Sequence, residues 1–133
     1  MASQQLSSQI TEGIRVTVRT AYMQDESSPK HQYFVFAYQV EIANESPYSV
    51  QLMSREWHIV DGTGQKRFVQ GDGVIGKQPL IKPGASHTYV SGCHFATPIG
   101  KMSGYYLMER QLDREPIQVE IPPFVMMVPY LDN

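Results

Sequence analysis

Alternation of apolar and polar residues is the feature that most constrains the fold of this chain. Between Ile14 and Tyr22 the even positions are apolar, with Thr20 as the one exception on the inner face. A period of two places successive side chains on opposite faces, so this segment is predicted to be a half-buried strand. No stretch of about 12 residues shows the three- and four-residue spacing of an amphipathic helix. An all-β fold is therefore predicted.

Further strands follow the same pattern, and turn-forming residues separate them. They are predicted at about 34–42, 50–60, 66–69, 86–94, 104–111 and 117–121. In the 50–60 strand the apolar positions change from even (Val50, Leu52) to odd (Trp57, Ile59), so a β-bulge or bend is predicted near 54–56. The glycines at 61–64 predict a tight turn between two antiparallel strands. Pro122 and Pro123 predict an edge strand or the approach to one.

The strand count points to a two-layer architecture. Seven to eight strands with short turns in 133 residues predict a β-sandwich of the immunoglobulin-like or fibronectin type III-like kind. Trp57, the only tryptophan, is predicted to fill the core between the sheets. A small closed barrel is the alternative. Residues 1–9 are expected to be a flexible N-terminus, and residues 10–133 a single domain.

Composition excludes several classes of protein. The formal net charge of -2 argues against a general nucleic-acid binder, which needs excess positive charge. One cysteine, Cys93, allows neither an intramolecular disulfide nor a zinc site made of several thiolates. No apolar run approaches the roughly 20 residues that span a bilayer. Residues 1–11 are polar and lack the apolar core of a signal peptide. A cytoplasmic protein without membrane insertion is expected.

A glycine motif, Gly71-x-Gly73-x-x-Gly76, is the main candidate site. In a dinucleotide-binding fold this motif opens a helix, but here Pro79 follows and no helix is predicted. Two interpretations remain. The glycines either allow positive φ angles in a structural loop, or their amides form an anion-binding nest assisted by Lys77 and by Lys66 or Arg67. The candidate diphosphate-binding residues are Gly71, Gly73, Gly76 and Lys77.

Other chemistry-bearing residues form no recognisable constellation. The four histidines, His31, His58, His87 and His94, are dispersed, and Cys93 and His94 point to opposite faces of a strand. No metal site is predicted, because selective binding needs several converging donors. No G-x-S-x-G motif is present, and Cys93 is predicted to be buried rather than reactive. We therefore predict no catalytic residue, no metal, no cofactor and no enzymatic activity. The apolar C-terminal segment from Pro122 to Leu131, beside a sheet edge, is a candidate partner-binding surface.

Several motifs in order along the chain resemble the ApaG family. They are SREWHI at 54–59, DG at 61–62, VQGDGVIGKQP at 69–79, PG at 83–84, YVSGC at 89–93, TPxGxMxG at 97–104 and VEIPPF at 119–124. The resemblance extends over about residues 10–128.

The resemblance implies a small sandwich of the fibronectin type III kind. It also implies a non-enzymatic binding module with a protein partner, linked indirectly to cobalt resistance and magnesium efflux. Related domains occur in an F-box adaptor and in a polymerase-delta-interacting protein. The family's glycine motif has been discussed as a pyrophosphate-binding loop. In bacteria, the gene of a family member often lies next to the gene of a diadenosine tetraphosphate hydrolase. The resemblance therefore implies a phosphate or nucleotide polyphosphate as the alternative ligand.

Overall fold

A computed structural model describes residues 5–131, and almost all of its regular structure is β-strand. The strands are β1 (Gln5–Thr11), β2 (Ile14–Tyr22), β3 (Phe34–Asn44), β4 (Val50–Asp61), β5 (Lys66–Asp72), β6 (Leu80–Ile81), β7 (Ser86–Phe95), β8 (Ile99–Arg110) and β9 (Pro116–Met127). Single turns of 3-10 helix lie at Gln24–Glu26, Pro29–His31 and Pro129–Leu131. The prediction of an all-β fold is confirmed.

The strands form two antiparallel sheets that face each other. One sheet has the order β1-β2-β3-β7, and the other has the order β5-β4-β8-β9, with β6 paired to β4. Residues from both inner faces make one hydrophobic core. The sandwich prediction is therefore confirmed. The barrel alternative is wrong, because the ladders of the described residues stay in two separate sheets.

Alternating burial along each strand builds this core. In β2 the even residues from Ile14 to Thr20 are buried, while Arg15 and Arg19 are exposed. Trp57 is only 3% exposed and packs edge-on against Tyr38 and Phe124, with ring centroids 5.6 and 5.9 Å away. The predicted position of Trp57 between the sheets is thus confirmed.

The N-terminal segment differs from the expectation. Residues 5–9, predicted to be flexible, belong to β1 and pair in register with β2. The pairing uses an edge of β2 that would otherwise lack a neighbour, and Ser8 lies hydrogen-bonded to Thr17 at 3.2 Å. Leu6 and Ile10 are 60% and 46% exposed, so the strand buries too little apolar surface to show a clear pattern. The remaining residues of the predicted flexible segment, 1–4, lie outside the described residues.

Two register shifts bend the second sheet. One lies between Leu52 and Ser54, just before the predicted bulge at 54–56. The other lies between Met102 and Gly104, where Pro122 and Pro123 of β9 lie opposite the shift. Because the prolines occupy this irregularity on an edge strand, β9 continues through them to Met127, beyond its predicted end. Strand β8 likewise begins at Ile99, five residues before the predicted start at 104.

Candidate functional site

The candidate glycine loop is a tight hairpin turn. The Val74 amide donates to the Lys77 carbonyl at 2.8 Å, and the Lys77 amide donates to the Val74 carbonyl at 3.0 Å. The two residues between them have positive φ angles, 48° at Ile75 and 72° at Gly76. This combination is typical of a type I′ turn. The sequence prediction that no helix follows Gly76 is confirmed.

Each glycine of the motif has a different structural role. Gly73 has φ of 61°, and a Cβ there would overlap the Lys77 carbonyl oxygen. Gly71 lies against Arg55, whose Nη1 would be 3.1 Å from an added Cβ. Gly76 has open space around it and contributes only its positive φ. The structure therefore brings Gly73 and Lys77 into contact and places Gly71 on a guanidinium group.

Several backbone groups of the loop are engaged within the protein. The Gly73 amide donates to the Met53 carbonyl at 2.9 Å, and the amides of Val74 and Lys77 bond to each other's carbonyls. Arg55 donates from Nη1 to the carbonyls of Asp72 and Gly73, at 3.0 and 2.8 Å. These bonds hold the loop against β4.

Arg55 is a residue of this site that sequence reasoning missed. The position of Arg55 beside the loop can be found from the residue pairing of the β4–β5 hairpin. Counting back from the turn at 61–64 pairs Arg55 with Gly71, as the structure shows. An arginine opposite a glycine has room to lie across the neighbouring backbone and to donate to its carbonyls.

A cleft of about 300 Å³ opens between the edges of the two sheets, beside the glycine loop. Strand β5 forms one wall and strand β7 the other, and side chains of the core form the floor. The lining residues are Tyr38, Arg55, Trp57, Ile59, Arg67, Val69, Val74, Ile75, Tyr89, Ser91, Gly92, Cys93, His94 and Met102. Among residues 5–131, two arginines and no carboxylate line the cleft.

Arg67 bridges the two walls of the cleft. Its Nη2 donates to the His94 carbonyl at 3.0 Å, and its guanidinium carbon lies 5.9 Å from the centre of the Phe95 ring. The ion pairs found among residues 5–131 involve neither Arg55 nor Arg67. Both guanidinium groups donate to carbonyl oxygens and form no direct ion pair, and the Asp61 carboxylate lies near Arg67.

Burial favours the neutral forms of the Cys93 thiol and of two tyrosines at the cleft and beneath it. Burial raises the pKa of the Cys93 thiol to about 12, although the charge of Arg67 partly opposes this. Burial also raises the pKa values of Tyr89 and Tyr106, whose hydroxyl groups are hydrogen-bonded to each other. Cys93 therefore carries no nucleophilic thiolate near neutral pH.

The histidines lie apart, and one of them belongs to a network on an outer face. His58 Nε2 lies 2.8 Å from Glu56 Oε2, and the Tyr105 hydroxyl donates to Glu56 Oε1 at 2.8 Å. Among the described residues, no group of three or more histidine, cysteine, aspartate or glutamate side chains is placed to bind a metal ion. Residues 5–131 also contain no helix with the length and apolar character needed to cross a membrane.

The fold and the cleft define a small two-sheet β-sandwich domain with a glycine hairpin at one sheet edge. The model of the ApaG domain family matches residues 24–110. This chain belongs to that family.

Individual relatives agree with this assignment. Protein ApaG of Vibrio cholerae is 47% identical over 120 residues, which cover 90% of this chain and 94% of the relative. Protein ApaG of Methylorubrum extorquens is 46% identical over 121 residues, 91% of this chain and 92% of the relative. The crystal structure of the putative ApaA protein from Bordetella pertussis superposes with a TM-score of 0.85 at 40% identity. That superposition covers 87% of this chain and 94% of the other.

Proposed function

We propose that this ApaG-family chain is a non-enzymatic binding module whose partner is another protein. The observation that carries the proposal is the unpaired outer edge of β7, which lies beside the cationic cleft. Strand β7 pairs with β3 on one side, and no described strand pairs with its other side. An open strand edge can form backbone hydrogen bonds with a segment of a partner protein, and the adjacent apolar and cationic cleft can hold the side chains of that segment.

The buried thiol and phenol of the cleft support a binding role over a catalytic one. General acid or base catalysis near neutral pH needs a group that titrates near neutral pH. Burial instead moves the pKa values of Cys93 and Tyr89 upward, away from that range. The arginine side chains keep their charge and serve binding rather than proton transfer.

A cytoplasmic module of this kind would act on ion balance only through its partner. The family resemblance implies a link to cobalt resistance and magnesium efflux. A binding module affects such a process by engaging a protein that transports the ions or controls their transport. We propose that the effect on efflux is indirect and depends on the β7 edge.

Site-specific cross-linking tests the binding proposal. A photoreactive phenylalanine analogue replaces Val90, which is 60% exposed on β7, and in a matched control it replaces the exposed Arg19 on the outer face of β2. We expect one protein to cross-link from position 90 and not from position 19 in cells, and to bind the purified chain afterwards. Equal labelling from both positions, with no binding by purified components, would refute the proposal.

The alternative function is binding of pyrophosphate or a nucleotide polyphosphate by the loop from Gly71 to Lys77. The positive charges of Arg55, which contacts the loop, and of Arg67, which lines the same cleft, favour it. Titration calorimetry with pyrophosphate, ATP and diadenosine tetraphosphate tests it. Lys77→Glu should weaken binding by about 10- to 150-fold, the effect of losing one charge-assisted hydrogen bond. Lys101→Glu, on an exposed lysine of β8, is the control. Absence of heat at millimolar ligand would exclude this function.

A further inference from the structure

Strand β7 presents one set of backbone groups to the outside of the sandwich. The His94 carbonyl accepts a hydrogen bond from Arg67, so the polar groups of His94 point away from β3. Along a strand of an antiparallel sheet, the backbone amide and carbonyl of one residue bond to the neighbouring strand on one side. Those of the next residue point to the opposite side. The amides and carbonyls of Thr88, Val90 and Gly92 therefore face outward, while the residues between them bond to β3.

This edge lacks the features that normally block strand addition. Soluble proteins protect edge strands with charged residues, prolines or bulges. Strand β5, on the other side of the cleft, carries Lys66, Arg67 and Asp72, and the edge strand β9 carries three prolines. Strand β7 contains no lysine, arginine, aspartate, glutamate or proline over its 10 residues. Apart from the His94 carbonyl, which Arg67 already occupies, it is an open template for another strand.

The charges around the edge indicate which strand it accepts. Arg67 lies at the His94 end, and Arg55 lines the cleft behind the strand. At the other end, burial lowers the pKa of His87, and the nearby charge of Lys77 lowers it further. Positive charge thus lies behind the edge and at both of its ends, and the Asp61 carboxylate near Arg67 offsets part of it at the His94 end. The whole chain, by contrast, has a net charge of -2. This distribution is complementary to a negatively charged occupant.

We propose that β7 accepts an extended acidic peptide segment of the partner protein as an added strand of the four-stranded sheet. The backbone of this segment bonds to Thr88, Val90 and Gly92. Every second side chain faces the cleft, where its carboxylate meets Arg55 or Arg67. The inference rests on the proposed binding function and specifies the chemistry of the partner.

The charges also argue against a second copy of this chain as the occupant. Pairing two β7 edges would bring two cationic clefts close together, where their repulsion opposes association. An acidic peptide strand compensates the same charges. Self-association through β7 is therefore an outcome that the experiment must distinguish.

Amide hydrogen exchange with a defined peptide tests the proposal. The probe is a capped octapeptide of alternating valine and glutamate, and the control peptide has lysine in place of glutamate. With ¹⁵N-labelled protein, we expect the glutamate peptide to slow exchange at Thr88, Val90 and Gly92. The amides of Tyr89 and Ser91, already bonded to β3, should change little. This alternating pattern distinguishes strand addition from binding elsewhere in the cleft.

Two variants separate the backbone contribution from the charge contribution. Val90→Pro removes one outward-facing donor and leaves the bonds to β3 in place, so affinity should fall at least 10-fold. Arg67→Glu should lower affinity for the glutamate peptide by at least 10-fold, while Arg19→Glu should leave it unchanged. If V90P does not fold, a glutamate peptide N-methylated at alternate residues removes the same bonds from the peptide side.

Four results would overturn the proposal. The lysine peptide could bind as tightly as the glutamate peptide, or exchange at Thr88, Val90 and Gly92 could stay unchanged when the glutamate peptide is added. Protection of those amides that depends on protein concentration, without peptide, would identify a second copy as the occupant. Finally, the partner protein captured by the cross-linker at position 90 could be attached through a basic or helical segment. That result would support the proposed binding function and would reject an acidic peptide as the added strand. Absence of any partner would instead count against the proposed function itself.

Discussion

Trp57 sets the spacing of the two sheets at one point of the core. Its indole ring lies between Tyr38 of the first sheet and Phe124 of the second, and both contacts are edge-on. Trp57→Ala should lower the free energy of unfolding by about 3–5 kcal/mol, because it leaves a large cavity. Urea denaturation measures the change. The wild-type fluorescence maximum should be that of a buried indole, and a fully hydrated maximum would contradict the assignment.

Ile75 combines a strained backbone with an exposed side chain. Its φ of 48° is unfavourable for a β-branched residue, and its side chain is 60% exposed at the end of the cleft. Such a conformation costs about 1–3 kcal/mol and is often found at functional sites. The exposed Ile75 side chain is therefore placed where the proposed partner would contact the cleft.

Replacing Ile75 should therefore separate stability from binding. Ile75→Asn should raise the free energy of unfolding by about 1 kcal/mol, because asparagine tolerates the left-handed region better. The same variant should bind the partner more weakly. Leu112→Asn is the control, since Leu112 is 77% exposed and has no positive φ. Scanning calorimetry compares the two, and an equal gain in both variants would exclude relief of strain at Ile75.

Asn44 connects separate elements at one end of the sandwich. It is 1% exposed at the end of β3, and its Nδ2 donates to the carbonyls of Tyr48 and Ile81, at 2.7 and 2.9 Å. Its Oδ1 accepts from the amide and the hydroxyl of Ser46. One side chain thus joins the β3–β4 turn to β6.

Asn44→Ala should destabilise the protein by about 2 kcal/mol or more, because it leaves buried backbone groups without partners. Asn44→Asp keeps the shape but places a carboxylate oxygen against two carbonyls, so it should also destabilise. Chemical denaturation measures both variants. Ser8→Ala, which removes an exposed hydroxyl pair with Thr17, should have little effect. Comparable losses in S8A and N44A would contradict this role for Asn44.

At the scale of the whole molecule, acid should destabilise the fold through its carboxylates. In the part of the chain that the structure describes, four carboxyl groups have lowered pKa values. The largest cause in each case is a side-chain hydrogen bond: Arg15 to Glu45, His58 to Glu56, Thr63 to Asp61 and Arg110 to Asp113. A lowered pKa in the folded state means that the unfolded chain binds protons first. The melting temperature should therefore fall as the pH drops below about 4.

Alkaline conditions should also destabilise the fold, because several groups have raised pKa values in the folded protein. The pKa of Cys93 is raised to about 12, so the unfolded chain loses this proton at a lower pH than the folded protein. Stability should fall as the pH rises above about 8.5, the ordinary pKa of a thiol. Cys93→Ala should reduce this loss, measured as melting temperature against pH. Tyr38, Tyr89 and Tyr106 have raised pKa values as well, so part of the alkaline loss should remain.

Much of the fold could be predicted from the sequence because the relevant signals are local. Alternation identified β2 and most of β3, and the glycine turn at 61–64 identified the β4–β5 hairpin. The burial of Trp57 followed from its parity with Ile59. By contrast, β1 was missed, because Leu6 and Ile10 remain exposed and the strand is held by backbone pairing with β2. Backbone hydrogen bonds between strands do not depend on the side chains, so they leave no periodic pattern in the sequence.

In the candidate site, too, some features could be predicted from the sequence and others could not. The sequence by itself determined that the glycine loop opens no helix, since Pro79 and the glycines favour a turn. Only the tertiary structure decided that Arg67 reaches β7 and that the edges of β5 and β7 enclose a cleft. Strands β5 and β7 belong to different sheets, and their proximity arises when the two sheets pack on a shared core. Long-range packing brings these residues together, and spacing along the chain does not encode it.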